Sequence, residues 1–348
     1  MRILIVAYGP YLESILKIMN IGNDELEICA IVTVPFANID NMFDRYGVSI
    51  RLMHPYYDLP ECVNNFYYDF VFYASEGNGE EIGRQLRDLG VEKDKLVNLS
   101  ILASPRLYNI SRLMRYYEAH VKDFSVLLTG SSYAHYSVNG KNMSLPLLDF
   151  SVDSQDIYYG YMLAEHVLSQ PGASFRAVLI NLAPWSFSYD LSKSTSENFL
   201  CIAYALLLGK SHHFPLDMNG MRLAFRNESL QSASEIAFDG IDIFDLNENK
   251  HRMSHDVGVA EFLRMRLRAE SWGNKRVYPE TQKENVQLLV NYINLCYEHG
   301  AIPVLFLAPV MDIYRRFYPK RNLDHFYWVI RDVIKKTGAP LLDYFWMN

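Results

Sequence analysis

Short apolar segments alternate with amphipathic segments along most of the chain, and this alternation constrains the fold more than any other feature. In the first 120 residues, stretches with helical spacing such as YLESILKIM separate the apolar segments RILIVAY, LEICAIVTV and YDFVFYAS. Apolar runs of about four to eight residues are typical of strands buried on both faces of a parallel sheet. Residues 1–120 are therefore predicted to form a Rossmann-like α/β domain.

The same order repeats after the helical segment RLYNISRLMRYYEAH, beginning at Ser125. The predicted strands are SVLLTG, PLLDFSV, FRAVLINLAP, IPVLFLAP and PLLDYF, with amphipathic helices between them. A length of 348 residues also exceeds the usual range of one domain. We therefore expect a second three-layer α/β domain over residues 121–348. Residues 186–278 interrupt the alternation and are interpreted as a cap over the site or as a peripheral helical subdomain.

Composition excludes several classes of partner. The net charge is −7 and the sequence has no block rich in Lys and Arg, which argues against nucleic acid and against an anionic membrane surface. The apolar run FLCIAYALLLG is shorter than the ~20 residues needed to span a bilayer, so no stable membrane insertion is expected. The four cysteines lie far apart, which predicts free thiols and a cytoplasmic location.

The first domain lacks the residues that a dinucleotide needs. Its first turn, AYGPYLES, carries only Gly9 where a G-x-G-x-x-G pattern would allow the pyrophosphate to approach the backbone. No cofactor is predicted, and this domain is expected to recruit a substrate or partner.

Histidines give no clear metal site either. His251 and His255 have i, i+4 spacing, but no Glu follows the first of them, so surface histidines are the favoured interpretation. The pair His212-His213, with Asp217 nearby, is expected to lie in a loop.

The candidate chemistry lies in VLLTGSSYAHYSV, where a short strand runs into a Gly-Ser-Ser turn. Ligands of parallel α/β sheets gather at the carboxyl ends of the strands, so this turn should lie near the loops after the next two strands. Ser132 is either a nucleophile or a serine that caps the following helix. His135 follows three residues later. A base must approach the hydroxyl from across the cleft, so His135 is expected either to pack against its neighbours or to line the rim of the site.

Residues 122–348 resemble the SGNH, or GDSL-type, hydrolase superfamily, in particular the branch that modifies polysaccharides. TGSSYA matches the nucleophile turn, with Ser132 at the serine and Ser131 in place of the Asp. FSVDSQDIYYG matches the second block, with Ser154 at the glycine position. The resemblance implies a flavodoxin-like fold, a Ser132 nucleophile, and an oxyanion hole formed by the backbone N–H groups of Ser132 and Ser154.

The sequence departs from that family in two places. The third block normally supplies an Asn after its strand, whereas this chain has Pro184-Trp185-Ser186 there and Asn181 within the strand. Ser131, Asn181 and Trp185 are therefore predicted only as possible substrate contacts. Phe187 and Tyr189, with Trp185, would suit stacking on sugar rings.

The second departure is that no Asp-x-x-His follows the last predicted strand, PLLDYF, before Asn348. Either this dyad lies beyond Asn348, or the protein keeps the fold without the base. The first explanation is favoured, because a final strand without a covering helix leaves the edge of the sheet open.

Two functions are consistent with these residues. The first is a serine esterase or acyltransferase that acts on an O-acylated carbohydrate or a glycolipid precursor of a surface glycan. The second is a non-catalytic protein that binds a carbohydrate or nucleotide-sugar and retains the SGNH-like fold. The sequence specifies neither the acyl group, the sugar, the direction of transfer nor the oligomeric state.

Overall fold

The chain forms two compact units, each built around a five-stranded parallel sheet. The computed structural model describes residues 1–19, 21–35, 39–75, 79–100, 105–194, 197–198, 200–213, 263–264, 266–267, 270 and 278–347. The first unit comprises Met1–Arg112 and Ser192–Ile241, and the second comprises Leu113–Leu191 and Asp242–Asn348. The prediction of two three-layer α/β units is confirmed. Most of the predicted cap, residues 186–278, lies outside the described residues.

The first unit has the strand order β3-β2-β1-β4-β5, and all neighbouring strands are parallel. Its strands are β1 (Arg2–Ala7), β2 (Glu27–Thr33), β3 (Met53–Pro55), β4 (Phe70–Ala74) and β5 (Leu96–Asn98). Its first four helices are α1 (Gly9–Ile18), α2 (Ile39–Tyr46), α3 (Leu59–Asn65) and α4 (Glu80–Asp88). The three-residue strand β3 was not predicted, because Met-His-Pro lacks an apolar run.

Helices cover the central strands of this sheet, which explains their continuous apolar sequence. Leu4 and Val6 of β1 are fully buried and belong to a cluster that also contains Leu59 of α3 and Leu86 of α4. Full burial of such a side chain stabilises the folded state by at most about 1.5–3 kcal/mol relative to an extended unfolded chain. Burial on both faces removes the apolar–polar alternation that a half-exposed strand would show.

The chain passes from the first unit to the second within helix α5 (Pro105–Ala119). The strands of the second unit are β6 (Val126–Thr129), β7 (Leu147–Asp149), β8 (Ala177–Leu182), β9 (Ile302–Leu307) and β10 (Leu341–Asp343). Its other helices are α6 (Ser132–Ser137), α7 (Ile157–Leu168), α9 (Pro279–Glu298), α10 (Asp312–Phe317) and α11 (Lys320–Thr337), while α8 (Leu200–Leu208) belongs to the first unit.

The sheet of the second unit has the order β10-β9-β8-β6-β7, with all neighbours parallel. Counted within this unit alone, the order is 2-1-3-4-5, the arrangement of flavodoxin-like folds. The direction of winding reverses between β6 and β8, and ligands of such sheets bind at the carboxyl ends of the strands on either side of that reversal. The register pairs Thr129 of β6 with Ile180 of β8, so Gly130 emerges beside Asn181.

Among the described residues, no helix combines the length and the apolar character that crossing a bilayer requires.

Candidate active site at the end of strand β6

The turn that follows β6 depends on a glycine. Gly130 has a φ of +138°, a conformation that side chains disfavour. A Cβ atom at Gly130 would lie 2.4 Å from Cβ of Asn181 on the neighbouring strand. Gly130 therefore allows the chain to leave β6 sharply while β6 and β8 remain adjacent.

The two serines after Gly130 lie at the start of α6. This helix begins at Ser132, which makes Ser131 the N-cap residue, and the Ser131 side chain makes no capping hydrogen bond. Ser132 is half-buried, and its hydroxyl has no hydrogen-bond partner among the residues that the structure describes. The structure thus gives neither hydroxyl a capping role, and the Ser132 hydroxyl retains its capacity to hydrogen-bond or react.

Ser154 lies in the second predicted block and has an unusual backbone conformation. Its φ is +62°, in the left-handed region that glycine occupies without strain and other residues occupy at a cost of about 1–2 kcal/mol. The family resemblance implies a glycine at the position of Ser154. Within the described part of the chain, the N–H groups of Ser132 and Ser154 donate to no backbone carbonyl. Both therefore retain a donor for a ligand.

Gln155 connects the two loops through its side chain. Its Oε1 accepts a hydrogen bond from the N–H of Gly130 at 2.7 Å, and its Nε2 donates to the carbonyl of Phe150 at 3.0 Å. Only 3% of Gln155 is exposed. Backbone hydrogen bonds join the same loops, since the N–H of Val152 donates to the carbonyl of Gly130 at 2.9 Å.

Asp156 fixes the start of α7 and the segment that follows β8. Its Oδ1 accepts from the N–H of Tyr159, and its Oδ2 accepts from the N–H of Leu191, both at 2.9 Å. Charged acceptors of backbone N–H groups at a helix start are among the stronger hydrogen bonds in proteins. Both carboxylate oxygens of Asp156 therefore hold backbone segments in place.

Asn285 holds the loop that carries the predicted aromatic residues. Its Nδ2 lies within hydrogen-bond distance of the carbonyls of Ser186, Phe187 and Tyr189, at 3.3, 3.1 and 2.8 Å. The side chain is almost fully buried on the inner face of α9. Sequence reasoning missed this residue, although Asn285 lies four residues before Leu289 on the stripe of α9 that faces the core.

A small polar cavity of about 20 Å³ lies beneath the turn. It is lined by Thr129, Gly130, Ser131, Gln155, Asp156, Ile157, Gly160, Ile180, Asn181, Ser186 and Tyr292. This volume is close to that of one water molecule, since about 10–15 Å³ on the same measure is the minimum for a water. The cavity is therefore too small for an organic ligand.

Asn181 lies against this cavity rather than on the open surface. It is 7% exposed, and its Nδ2 lies 3.3 Å from the carbonyl oxygen of Phe306 and 3.4 Å from that of Leu182. Its Oδ1 has no hydrogen-bond partner among the described residues. Asn181 thus packs behind Gly130, and Ser131 lines the same cavity.

Tyr292 of α9 supports the end of β6 from within the core. Its hydroxyl and that of Thr129 are 2.8 Å apart, and its ring lies 5.7 Å from that of Tyr161. Full burial raises the pKa of Tyr292 well above its usual value. The phenol therefore remains protonated at neutral pH and acts as a hydrogen-bonding support.

A cluster of three aromatic residues lies beside Ser132. The ring of Trp185 lies 6.1 Å from Tyr133 and 5.2 Å from Tyr189, and all three side chains are partly exposed. Phe187, which the sequence grouped with them, instead packs in the core at 5.5 Å from Phe326. Trp185 and Tyr189 therefore remain accessible to a ligand and Phe187 does not.

The histidines that the sequence singled out occupy separate places. His135 lies on α6 with its ring 5.1 Å from that of Tyr136. The rings of His212 and His213 are 4.2 Å apart in the first unit. Asp217, His251 and His255 lie outside the described residues.

Cys29, Cys62, Cys201 and Cys296 all lie within the described residues, and none of them is part of a disulfide bond.

Comparison of the sequence with protein-family models and with curated proteins found no match.

Gly130→Ala should destabilise the second unit by about 2–4 kcal/mol, because the added Cβ meets Asn181 and the required φ is unfavourable. The described tryptophans, Trp185, Trp328 and Trp346, lie in the second unit, so urea unfolding followed by tryptophan fluorescence reports on it. Gly140→Ala is the control, since its Cβ would make only ordinary contacts with Leu147. Equal unfolding midpoints for the two variants would contradict the steric argument.

Ser154→Val should destabilise the second unit by on the order of 1–2 kcal/mol, because a β-branched side chain tolerates a positive φ poorly. Ser154→Gly should unfold at or above the wild-type urea concentration, because glycine relieves the strain. The same fluorescence measurement compares both variants. A Gly variant less stable than the Val variant would be inconsistent with the left-handed conformation.

Proposed function

We propose that this protein is an SGNH-type serine esterase or acyltransferase that acts on an O-acylated carbohydrate or glycolipid precursor. The observation that carries the proposal is the turn at the reversal point of the second sheet. There, Gly130 forces the chain to turn so that Ser132 begins a helix with its hydroxyl unbonded among the described residues. A nucleophile needs this combination of a fixed position and a free hydroxyl.

In the proposed reaction, Oγ of Ser132 attacks the carbonyl carbon of the acyl ester while a histidine accepts the hydroxyl proton. The negative charge that develops on the carbonyl oxygen is stabilised by the N–H groups of Ser132 and Ser154. Collapse of this intermediate breaks the bond to the sugar oxygen, which takes the proton back from the histidine. The acyl group on Ser132 then passes to water in an esterase, or to another sugar hydroxyl in an acyltransferase.

The second oxyanion donor is supported by the backbone at Ser154. The left-handed φ of +62° matches the glycine that the family resemblance implies at this position. The N–H of Ser154 also donates to no backbone carbonyl among the described residues.

The carbohydrate part of the proposal is supported by the cluster of Tyr133, Trp185 and Tyr189. The three rings are partly exposed, and Tyr133 directly follows Ser132. Sugar rings present apolar C–H faces that pack on aromatic surfaces. The three hydrogen-bond contacts from Asn285 fix the loop that contains two of these rings. A rigid aromatic surface costs little entropy when a ligand binds.

The general base is assigned by the resemblance alone, to an Asp-x-x-His after the last strand. Within the described residues, no hydrogen bond joins Ser132 to a histidine. This observation favours the second candidate function, a carbohydrate-binding protein without esterase activity. The two functions differ in whether Ser132 reacts.

We place the protein in the cytoplasm, a proposal that rests on its four described cysteines, none of which forms a disulfide bond. The first unit is proposed to recruit a substrate or partner, since its first turn, AYGPYLES, lacks the G-x-G-x-x-G pattern of a dinucleotide site.

Ser132→Ala should abolish reaction with a fluorescent fluorophosphonate and reduce p-nitrophenyl acetate hydrolysis at least about 10³-fold, because the acyl group loses its acceptor. The assay uses the product of the complete reading frame, and tryptic mass spectrometry locates the label. Ser137→Ala on the same helix is the control. A wild-type protein that is folded but unlabelled would favour the binding protein.

Trp185→Ala should raise KM for glucose pentaacetate about 3- to 10-fold, because a stacked aromatic ring contributes about 0.5–1.5 kcal/mol. KM for p-nitrophenyl acetate, which has no sugar ring, should change less than about twofold. Trp185→Phe should bring KM for glucose pentaacetate back close to the wild-type value. Trp328→Ala, a change at an exposed residue of α11, should leave this KM unchanged. An equal change in KM for both esters would argue against sugar stacking.

A further inference from the structure

We propose that Gln155 is a positioning residue that sets the distance between the nucleophile Ser132 and the second oxyanion donor, the N–H of Ser154. This inference rests on the proposed function and assigns a role to a residue that sequence reasoning did not select. The inference is supported by two contacts of the Gln155 side chain, one with the turn before Ser132 and one with the loop before Ser154.

The first contact fixes the nucleophile turn. Thr129 is the last residue of β6 paired with β8, and the chain then turns at Gly130. Oε1 of Gln155 accepts from the N–H of Gly130 at 2.7 Å, two residues before Ser132. An unpaired buried N–H costs about 1–3 kcal/mol, so the amide keeps the turn in one position.

The second contact fixes the loop that carries the oxyanion donor. Nε2 of Gln155 donates to the carbonyl of Phe150 at 3.0 Å, at the start of that loop. Gln155 itself follows Ser154 directly, and its own N–H donates to the carbonyl of Val152 at 3.0 Å. The Gln155 side chain thus joins the two ends of the loop between Phe150 and Gln155, and it also binds the N–H of Gly130.

The surroundings leave the carboxamide little freedom. A Cβ atom at Gly160 of α7 would lie 3.3 Å from Oε1 of Gln155 and 3.5 Å from Oγ1 of Thr129. The carboxamide of Gln155 therefore lies next to Gly160, in space that a larger side chain at that position would occupy. A buried side chain held at both polar ends transmits a displacement directly to the backbone that it bonds.

The consequence for the reaction is geometric. The two N–H donors stabilise an oxyanion only if both reach the same oxygen atom, and loss of one such donor reduces turnover about 10²- to 10³-fold. A misplacement of about 1 Å has effects of similar size. Gln155 touches no substrate in this arrangement and acts through the positions of Ser132 and Ser154.

Gln155→Met tests the proposal, since methionine has nearly the same shape but makes neither hydrogen bond. In the complete protein, we expect fluorophosphonate labelling of Ser132 to slow about 10- to 100-fold. For p-nitrophenyl acetate, kcat should fall while KM changes less than about twofold, because the residue positions the reacting groups without binding substrate.

Gly160→Ala is the second variant, because Gln155→Met risks misfolding. Alanine is favoured over glycine inside a helix, so α7 should remain folded, while the added methyl group displaces Oε1 of Gln155 by a few tenths of an ångström. We expect labelling to slow several-fold with no decrease in the midpoint of urea unfolding. A purely structural role for Gln155 would leave this rate unchanged.

Tyr117→Phe is the matched control for lost stability. It removes a buried hydrogen bond to the carbonyl of Val167, 2.7 Å long, in the same unit but away from the turn. Its urea midpoint should decrease while its labelling rate stays at the wild-type value.

Three outcomes separate the two proposals. Slow labelling of the Gln155 and Gly160 variants, with normal labelling of Tyr117→Phe, supports the positioning role. A wild-type protein labelled at Ser132, with both variants labelled equally fast, overturns the role of Gln155 and leaves the esterase intact. A wild-type protein without label at Ser132 overturns both.

Discussion

The approach of Gly130 to Asn181 is the constraint on which the site depends. A single Cβ atom at Gly130 would lie 2.4 Å from that of Asn181, so β6 and β8 can be neighbours only with a glycine at this point. Their adjacency creates the reversal point in the sheet order, and the same φ of +138° directs the chain into the start of α6. The position of Ser132 therefore follows from a steric requirement of the sheet.

Buried polar side chains then fix the loops around that turn. Gln155 bonds the turn to the second loop, Asp156 bonds that loop to the segment after β8, and Asn285 holds the loop that carries Trp185. Each lies at the end of an element or on the buried stripe of a helix, where an unpaired polar group would cost about 1–3 kcal/mol. Their hydrogen bonds thus contribute to stability and also restrict the site to one arrangement. A site assembled from loops needs such support to hold reacting groups in place.

Most of the fold could be predicted from the sequence, because apolar runs and helical spacing are local properties of the chain. β1, β6 and β8 follow directly from runs such as VLLT, whereas β3 has no such run and is recognised as a strand by its pairing with β2. The site was predicted in part. Ser132 and Ser154 were selected through the family resemblance, while Gln155 and Asn285 were missed, because an isolated Gln or Asn carries no local signal. Phe187 and Trp185 look alike in sequence, yet only Trp185 remains accessible.

The sequence by itself determined two parallel α/β sheets and the place of a Gly-Ser-Ser turn after one of their strands. Hydrophobic periodicity predicts the strands and helices, and the Gly-Ser-Ser letters after an apolar run predict the turn. Both signals extend over only a few residues. Only the tertiary structure decided which strands are neighbours, and hence that Asn181 lies behind Gly130 and that Gln155 bonds across two loops. Gln155 and Asn181 lie 25 and 51 positions after Gly130 in the sequence, which is farther than a local sequence pattern extends. These contacts depend on strand order and burial, which arise only when the whole sheet is assembled.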